Sequence, residues 1–199
     1  REIMAELGYK TVDEMIGQVD ALTMRKNIHH WKFKNLDLSG VLYKEPAEEG
    51  VGLFNTEKQD HGLENVLDWK LLEAAQPAIL QQQKVKASFD IKNTDRTAGT
   101  IVSNEITKVY KAAGLPNGTI HYKFTGTAGQ SFGAFNTKGL TLELEGDAND
   151  YFGKGLSGAQ LIVYPDKKAG FVAENNIIIG NTAFYGATSG EAYIRGKAG

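Results

Sequence analysis

A glycine-rich segment recurs in the second half of the sequence at a spacing of about 20 residues. GTAGQSFG begins at Gly126 and GDANDYFG begins at Gly146, and each is followed by further glycines and a short apolar alternation, LTLELE or AQLIVYP. A third copy, GNTAFYG at 180–186, follows an insertion of about 13 residues around 166–176. Such a period predicts a solenoid of stacked coils, because one short coil cannot bury its own apolar face.

The repeat also predicts which residues lie side by side in neighbouring coils. Counted from the turn glycines Gly139 and Gly158, the alternating apolar residues of one copy match those of the next. The matched sets are Leu140, Leu142 and Leu144 in one copy and Ala159, Leu161 and Val163 in the other. The third copy leaves two registers open, since its apolar residues, Ala192 and Ile194, lie one position away from those that the earlier copies predict.

Aromatic residues repeat as well, each directly before a turn glycine: Phe132, Phe152 and Tyr185. Stacking inside the coils explains this spacing, because aligned aromatic rings in successive coils bury large areas. A ligand-binding module, for example one for carbohydrate, would instead carry such a row on an exposed face. The sequence leaves both interpretations open, and the burial of Phe152 distinguishes them.

The stretch Gly153–Gly158, GKGLSG, matches the G-x-G-x-x-G pattern of dinucleotide-binding proteins. That pattern requires a strand before it and a helix after it, because the helix N-terminus holds the pyrophosphate. A predicted strand, AQLIVYP, follows Gly158 instead. A phosphate loop is also disfavoured, since its glycines are closer together than Gly146 and Gly153 are. We therefore interpret these glycines as turn positions, with a free-standing nucleotide-binding enzyme as the alternative.

Helical patterns dominate the chain before the repeats. REIMAEL and TVDEMIGQ each place apolar residues on one helical face, and Thr11 with Glu14 forms a capping box. Val12, Met15 and Ile16 of the second helix are predicted to face inward. GLENVLDWKLLEAA at 62–75 is the clearest helix. Pro77 either ends this helix or is the first residue of a second, short helix.

A predicted strand and another helix complete this first part. VKASFDIKN at 85–93 alternates as a strand, and SNEITKVYKAAG at 103–114 reads as a helix with Ser103 as its N-cap. The predicted organisation is a helical tail at 1–22, a connecting segment at 23–84 with a helix near 62–75, and a β domain at 85–199.

Composition excludes several classes of site and partner. The chain has no cysteine, which excludes a disulfide, a thiolate metal site, a cysteine-bound iron–sulfur cluster and a cysteine nucleophile within it. Lys and Arg number 22 and Asp and Glu number 24, so the net charge of −2 favours neither nucleic acid nor an anionic membrane as partner. No apolar run is long enough to span a bilayer and no signal peptide is visible, so a cytoplasmic location is expected.

Two groups of residues resemble metal ligands only in composition. The first consists of His29, His30 and His61. None of these histidines is spaced from another as a helical ligand pair would be, so surface exposure is the simpler interpretation. The second consists of Asp147, Asn149 and Asp150. Their order lacks the glycine and the distant glutamate of an EF-hand, so Asx turns at a coil corner are the simpler interpretation.

Two further groups are weak candidates for catalysis. Asp95 and Arg96 are expected to form an internal ion pair, since Arg favours bidentate, partly buried partners. Ser131 and Ser157 have no histidine placed as in a known nucleophile motif. We therefore predict no catalytic, cofactor-binding or metal-binding residue in this chain.

Three longer segments resemble the C-terminal domain of the large (alpha) subunit of glutamate synthase. They are FTGTAGQSFGAF, GDANDYFGKGLSGAQLIVYP and IIGNTAFYGATSGEAYIRGKAG. FDIKNTDRTAG at 89–99 resembles the start of that domain, and REIMAELGYKTVDEMIG at 1–17 resembles the last helices of the preceding flavin-binding synthase domain. The resemblance covers nearly the whole chain. It implies a mainly β fold, a right-handed parallel β-helix with an α-helical N-terminal segment.

The resemblance also implies a reaction, in which glutamine and 2-oxoglutarate are converted with a reductant into glutamate by an enzyme that carries FMN and an iron–sulfur cluster. The nucleophilic cysteine, the cluster cysteines and the main FMN-binding residues of the family belong to other domains. What the resemblance implies for this chain is a scaffolding role that holds the glutaminase and synthase domains in register. It favours the NADPH-dependent type, with other domains of the large subunit and the small subunit as partners, and a chain truncated at its C-terminal end.

Overall fold

Two short helices open the structure, a computed structural model that describes residues 1–199. They are α1 (Glu2–Glu6) and α2 (Val12–Met15). The predicted capping box is confirmed, since the Glu14 amide donates to the Thr11 hydroxyl and the Glu14 carboxylate accepts the Thr11 amide. The predicted inward orientation is wrong for Val12 and Ile16, which are exposed.

Residues 1–61 form one compact unit, and none of them is buried. Beyond α1 and α2, this unit has a 3₁₀ turn at Val19–Ala21 and otherwise irregular turns. The side chains of Trp31 and Val41 are both 77% exposed. An apolar side chain stabilises a fold only when it leaves water, so this unit has no hydrophobic core of its own.

The second compact unit, residues 62–199, contains every buried residue of the chain. Its helices are α3 (Asp68–Gln81) and α4 (Thr100–Tyr110), with 3₁₀ turns at Leu63–Asn65, Lys111–Ala113 and Ala173–Asn175. Its strands are β1 (Val85–Ile91), β2 (Ile120–Ala128), β3 (Leu140–Ala148), β4 (Ser157–Tyr164), β5 (Ile177–Ile179), β6 (Ser189–Ile194) and β7 (Lys197–Ala198). All paired strands are parallel in the order β1-β2-β3-β4-β6, with β5 beside β3 and β7 beside β5.

The predicted fold class, a mainly β right-handed parallel β-helix, is wrong. The strands form one seven-stranded parallel sheet, and about as many residues are helical as extended, which makes this an α/β fold. α3 and α4 pack against each other, and their buried residues Leu71 and Ile106 share one core with Tyr122 and Phe124 of β2. The repeat period correctly indicates that neighbouring strands pair in parallel. Parallel pairing does not by itself determine the fold class.

The predicted register between repeats is confirmed within the sheet. Gly146 of β3 lies opposite Gly126 of β2, and Leu161 of β4 lies opposite Leu142 of β3. β6 continues the series, because Ala192 lies opposite Leu161. The third copy therefore aligns its apolar residues with those of the earlier copies.

The predicted insertion lies between β4 and β5, two strands that both pair with β3. β4 pairs with the first part of β3, whereas Ile179 of β5 pairs with Ala148 at the end of β3. Residues 165–176 connect these two strands and include the 3₁₀ turn at Ala173–Asn175. The extra residues thus leave the sheet between two strands that share a neighbour.

Both long helices begin at positions other than those predicted. α3 starts at Asp68 and continues through Pro77, so that proline neither ends one helix nor begins another. α4 starts three residues before Ser103, which is buried inside the helix and accepts the backbone amide of Thr137. The predicted N-cap role of Ser103 is therefore wrong, and the cap comes from the Asp68 side chain.

The helices are short compared with the thickness of a bilayer. α3, the longest, has 14 residues, and none of the helices combines the length and the apolarity needed to span a membrane.

Candidate functional site

The candidate dinucleotide fingerprint, Gly153–Gly158, lies where β3 turns into β4. The element that follows is a strand and not a helix. A Cβ atom at Gly153 would lie 2.7 Å from the ring of Phe184, and one at Gly155 would lie 2.5 Å from the ring of Phe135. Aromatic side chains therefore fill the space beside these glycines. The turn lacks both the helix dipole and the opening that a dinucleotide pattern requires.

Left-handed backbone conformations repeat at the corner of each turn. Four corner residues, none of them glycine, have φ between 56° and 64°: Thr97, Ser131, Tyr151 and Thr182. The amides of the first three each donate to the carbonyl just before the next corner residue, at 2.8–3.0 Å. Two positions further on, a second left-handed residue follows in each turn: Gly99, Gly133, Gly153 and Phe184. This alternation explains the glycine spacing without a ligand, because left-handed backbone is strained for residues with a side chain.

A column of aromatic rings runs through the interior of these turns. Phe152 is fully buried, and its ring centroid lies 5.8 Å from that of Phe132 and 5.6 Å from that of Phe184. The predicted stacking is confirmed for Phe132 and Phe152. It is wrong for Tyr185, which is 65% exposed, while Phe184 occupies the column. Phe184 lies level with Gly153 in the backbone hydrogen bonding of the turns, two positions before Gly186, the glycine that the motif match predicts there. The row is not the exposed face of a carbohydrate-binding module.

The three candidate histidines, His29, His30 and His61, are all exposed. The His30 ring stacks beside Trp31 with 6.1 Å between ring centroids, and its Nδ1 accepts the Lys32 amide at 3.3 Å. The structure has no group of three or more His, Asp or Glu side chains placed to hold a metal ion. The histidines are therefore surface residues, as the sequence indicated.

The acidic and hydroxyl candidates make contacts within the turns. The Asp147 carboxylate accepts the Thr127 hydroxyl at 2.8 Å, and the Asp150 carboxylate accepts the Asn181 amide at 2.8 Å. Both bonds connect successive repeats, so the predicted local Asx turns are wrong for these two residues. The Ser157 hydroxyl donates to the Gly155 carbonyl at 2.9 Å. The two aspartates therefore connect successive repeats, whereas the Ser157 bond lies within one turn.

Asp68, which the sequence did not single out, is the most unusual ionisable residue of the unit. It is 5% exposed, and its two oxygens accept the amides of Gly99 and Ile101 at 2.8 and 2.7 Å. Burial raises the pKa of this carboxyl to about 6, although both hydrogen bonds favour the charged form. No lysine or arginine forms an ion pair with it. A cap that arrives from another helix leaves no local sequence signal, which is why sequence reasoning missed it.

Asp95 and Arg96 do not form the predicted ion pair. The Asp95 carboxylate accepts the Lys92 amide at 2.9 Å, and the Arg96 side chain is exposed with no carboxylate partner. Both residues line a cleft of about 630 Å³ together with Asp68. The two residues of the loop after β1 therefore border a cavity without pairing with each other.

One face of the sheet carries a ladder of charged and polar side chains. His121 contacts Glu143 at 2.8 Å, Tyr164 donates to Glu143 at 2.6 Å, and Lys123 contacts Glu145 at 2.8 Å. The Tyr164 hydrogen bond is the main cause that lowers the pKa of Glu143. Alternating charges of opposite sign in adjacent repeats are visible in the sequence and would have revealed this ladder.

Comparisons with known proteins agree with the repeat. A family model described as the GXGXG motif matches residues 68–199. The chain is 52% identical over 201 residues to the glutamate synthase [NADPH] large chain of Bacillus subtilis, with all of this chain and 13% of that protein aligned. It is 47% identical to the glutamate synthase [NADH] of Schizosaccharomyces pombe, of which it covers 9%. It is 42% identical to the ferredoxin-dependent glutamate synthase 2 of Synechocystis, of which it covers 13%.

The chain spans about an eighth or less of the length of these relatives. The names of the relatives include three different electron donors, so the predicted NADPH dependence stays a prediction.

Proposed function

This chain belongs to the GXGXG family, and from that membership we propose that it serves a glutamate synthase as a structural domain, with no catalytic residue of its own. One observation carries the proposal. The glycine turns that most resemble a nucleotide site are filled by the rings of Phe135 and Phe184 and are tied to one another by backbone hydrogen bonds. A surface whose turns are closed by its own side chains suits a rigid spacer between domains.

The reaction that we propose for the whole enzyme is the formation of glutamate, which the names of its relatives share. The proposal does not specify the electron donor. FMN and an iron–sulfur cluster belong to the other domains in this proposal. The cytoplasmic location and the small subunit as a partner are parts of the same proposal.

We also propose that residues 1–22 pack against a preceding domain of the same large subunit. Their apolar side chains support this, because Ile3, Leu7 and Val12 are each more than half exposed. Exposing apolar side chains to water is unfavourable in free energy, and burial against a partner removes that cost. Hydrogen exchange of residues 1–22 should therefore slow by at least about tenfold in the intact enzyme compared with this chain alone. Equal exchange in both would contradict this assignment.

The structural role is tested in the intact enzyme by comparing substitutions of polar turn residues with a substitution of a buried turn residue. Changing Ser131, Ser157 or Lys154 to alanine should leave glutamate formation within about twofold, since none of them takes part in chemistry. Changing the buried Phe152 to alanine should instead uncouple glutamine hydrolysis from glutamate formation, because the spacer loses rigidity.

A different outcome would assign chemistry to the turns. A loss of about 100-fold or more in a polar variant, with the melting temperature unchanged, is the size expected when an acid or base is removed. That result would contradict the structural role directly. Retention of full coupling in the Phe152→Ala variant would show that the domain does not hold the others in register.

A further inference from the structure

A cleft beside the N-terminus of α4 brings together two charged side chains that have no ion-pair partner. Asp68 is almost fully buried without a cationic partner, and Arg96 is exposed without an anionic one. Both line one cleft of about 630 Å³, a volume within the range of small-molecule sites. Asp68 and Arg96 therefore share one cavity, and neither forms an ion pair. Asp95 lines it as well, and its carboxylate accepts the Lys92 amide.

The walls of this cleft are apolar. Four apolar side chains, Leu63, Val66, Leu67 and Ile101, line it together with three threonines and Asn65. A mostly apolar cavity with a few charged groups is the composition typical of a site that orients a small ligand. An inorganic ion would use the charges and leave these walls in contact with water, so the walls favour an organic ligand.

The carboxylate of Asp68 is held in place and still has acceptor capacity. The amides of Gly99 and Ile101 each bind one oxygen and fix the orientation of the group. A carboxylate has about four acceptor positions, so two remain. A buried charge without a partner is costly, and an ammonium donor in the cleft would offset that cost.

We propose that this cleft binds a zwitterionic ligand of the amino-acid class with an apolar side chain, its ammonium group on Asp68 and its carboxylate on Arg96. The planar guanidinium of Arg matches a carboxylate with two parallel hydrogen bonds. A simple amine would leave Arg96 unpaired, and a simple carboxylate would leave Asp68 unpaired. The proposal goes beyond the structural role and does not depend on it.

The test compares three probes that differ only in charge. L-leucine carries both charged groups, 4-methylpentanoate lacks the ammonium group, and 3-methylbutylamine lacks the carboxylate. Calorimetric titration of the 199-residue chain should show saturable binding of L-leucine at one site, with each analogue at least about tenfold weaker. A second readout is available in a Trp31→Phe variant, where Trp69 is the only tryptophan and donates to the carbonyl of the cleft residue Leu63 at 2.6 Å.

Two variants complete the test. Arg96→Gln should weaken L-leucine binding at least about tenfold. The matched control, Arg195→Gln, changes an arginine between β6 and β7 that lies outside the cleft, and it should not alter binding. Asp68→Asn should also weaken binding, but Arg96→Gln decides the outcome if loss of the cap unfolds α4. No saturable binding of L-leucine, equal binding of either analogue, or unchanged binding in Arg96→Gln would overturn the proposal.

Discussion

The two units of this chain contain similar kinds of side chain and differ in what those side chains contact. Residues 1–61 contain 13 of the 24 exposed large hydrophobic side chains, although they make up less than a third of the chain. Residues 62–199 contain every buried hydrophobic side chain of the chain. Apolar content therefore does not by itself make a core. What distinguishes the second unit is periodic placement, because each repeat sets its apolar residues against those of the next.

The aromatic column is where the second unit should be most sensitive. Phe152→Ala removes a fully buried ring from between Phe132 and Phe184. We expect the free energy of unfolding to fall by about 3–5 kcal/mol, as for other buried aromatic residues. Denaturant titration measures this change. A fall below about 1 kcal/mol would show that the column is not part of the core.

Asp68 should give the second largest effect, and its sign is unusual for a carboxyl group. Because its pKa is raised to about 6 in the fold, the folded state binds the proton more tightly than the unfolded chain does. Its contribution is therefore most favourable below about pH 4 and is lost as the pH rises through 6, by about 2–3 kcal/mol.

The comparison with Asp68→Asn isolates this contribution from other groups that titrate in the same range. The unfolding free energy of the wild type relative to that of the variant should decrease between pH 4 and pH 7. A difference that is constant across this range, or that increases, would show that the Asp68 carboxyl is not desolvated in the fold.

Backbone strain at the turn corners should produce a smaller, opposite effect. Thr182 has φ of 56° although its side chain is β-branched and exposed. Thr182→Gly should raise the unfolding free energy by about 0.5–1 kcal/mol, since glycine adopts this conformation without strain.

A matched control for that change is Thr125→Gly in β2. Thr125 is also exposed, but it lies within a strand and its φ is not positive. This variant should lose about 0.5–1 kcal/mol through the greater freedom of the unfolded chain. If both variants change stability in the same direction, corner strain is not the explanation.

The smallest effect is expected in the first unit. Trp31 is 77% exposed, and its ring contacts only its sequence neighbours His30 and Lys32 among the aromatic and cationic groups. Trp31→Ala should change the unfolding free energy of this chain by no more than about 0.5 kcal/mol. A larger loss, measured in the same denaturant titration as Phe152→Ala, would mean that residues 1–61 have a core after all.

Sequence reasoning found the parts of this molecule that depend on local pattern. The step from Gly126 to Gly146, the match of Leu142 with Leu161 and the capping box at Thr11 all follow from spacing along the chain. These features need no knowledge of contacts between distant segments.

Contacts across long stretches of sequence were not predictable in the same way. Asp68 caps a helix that begins 32 residues later, and Phe184 lies in the aromatic column where the sequence predicted Tyr185. The fold class was also wrong, since parallel pairing of repeats is compatible with more than one arrangement of strands and helices. For the same reason the cleft of Asp68 and Arg96 was visible only in the structure.

Hydrogen exchange of the whole chain tests the contrast between the two units most directly. If periodic stacking is what creates the core, amides of β2 and β3 will exchange only through global unfolding, while amides of residues 1–61 will exchange with little protection. Protection in residues 1–61 equal to that in β2 and β3 would contradict the account.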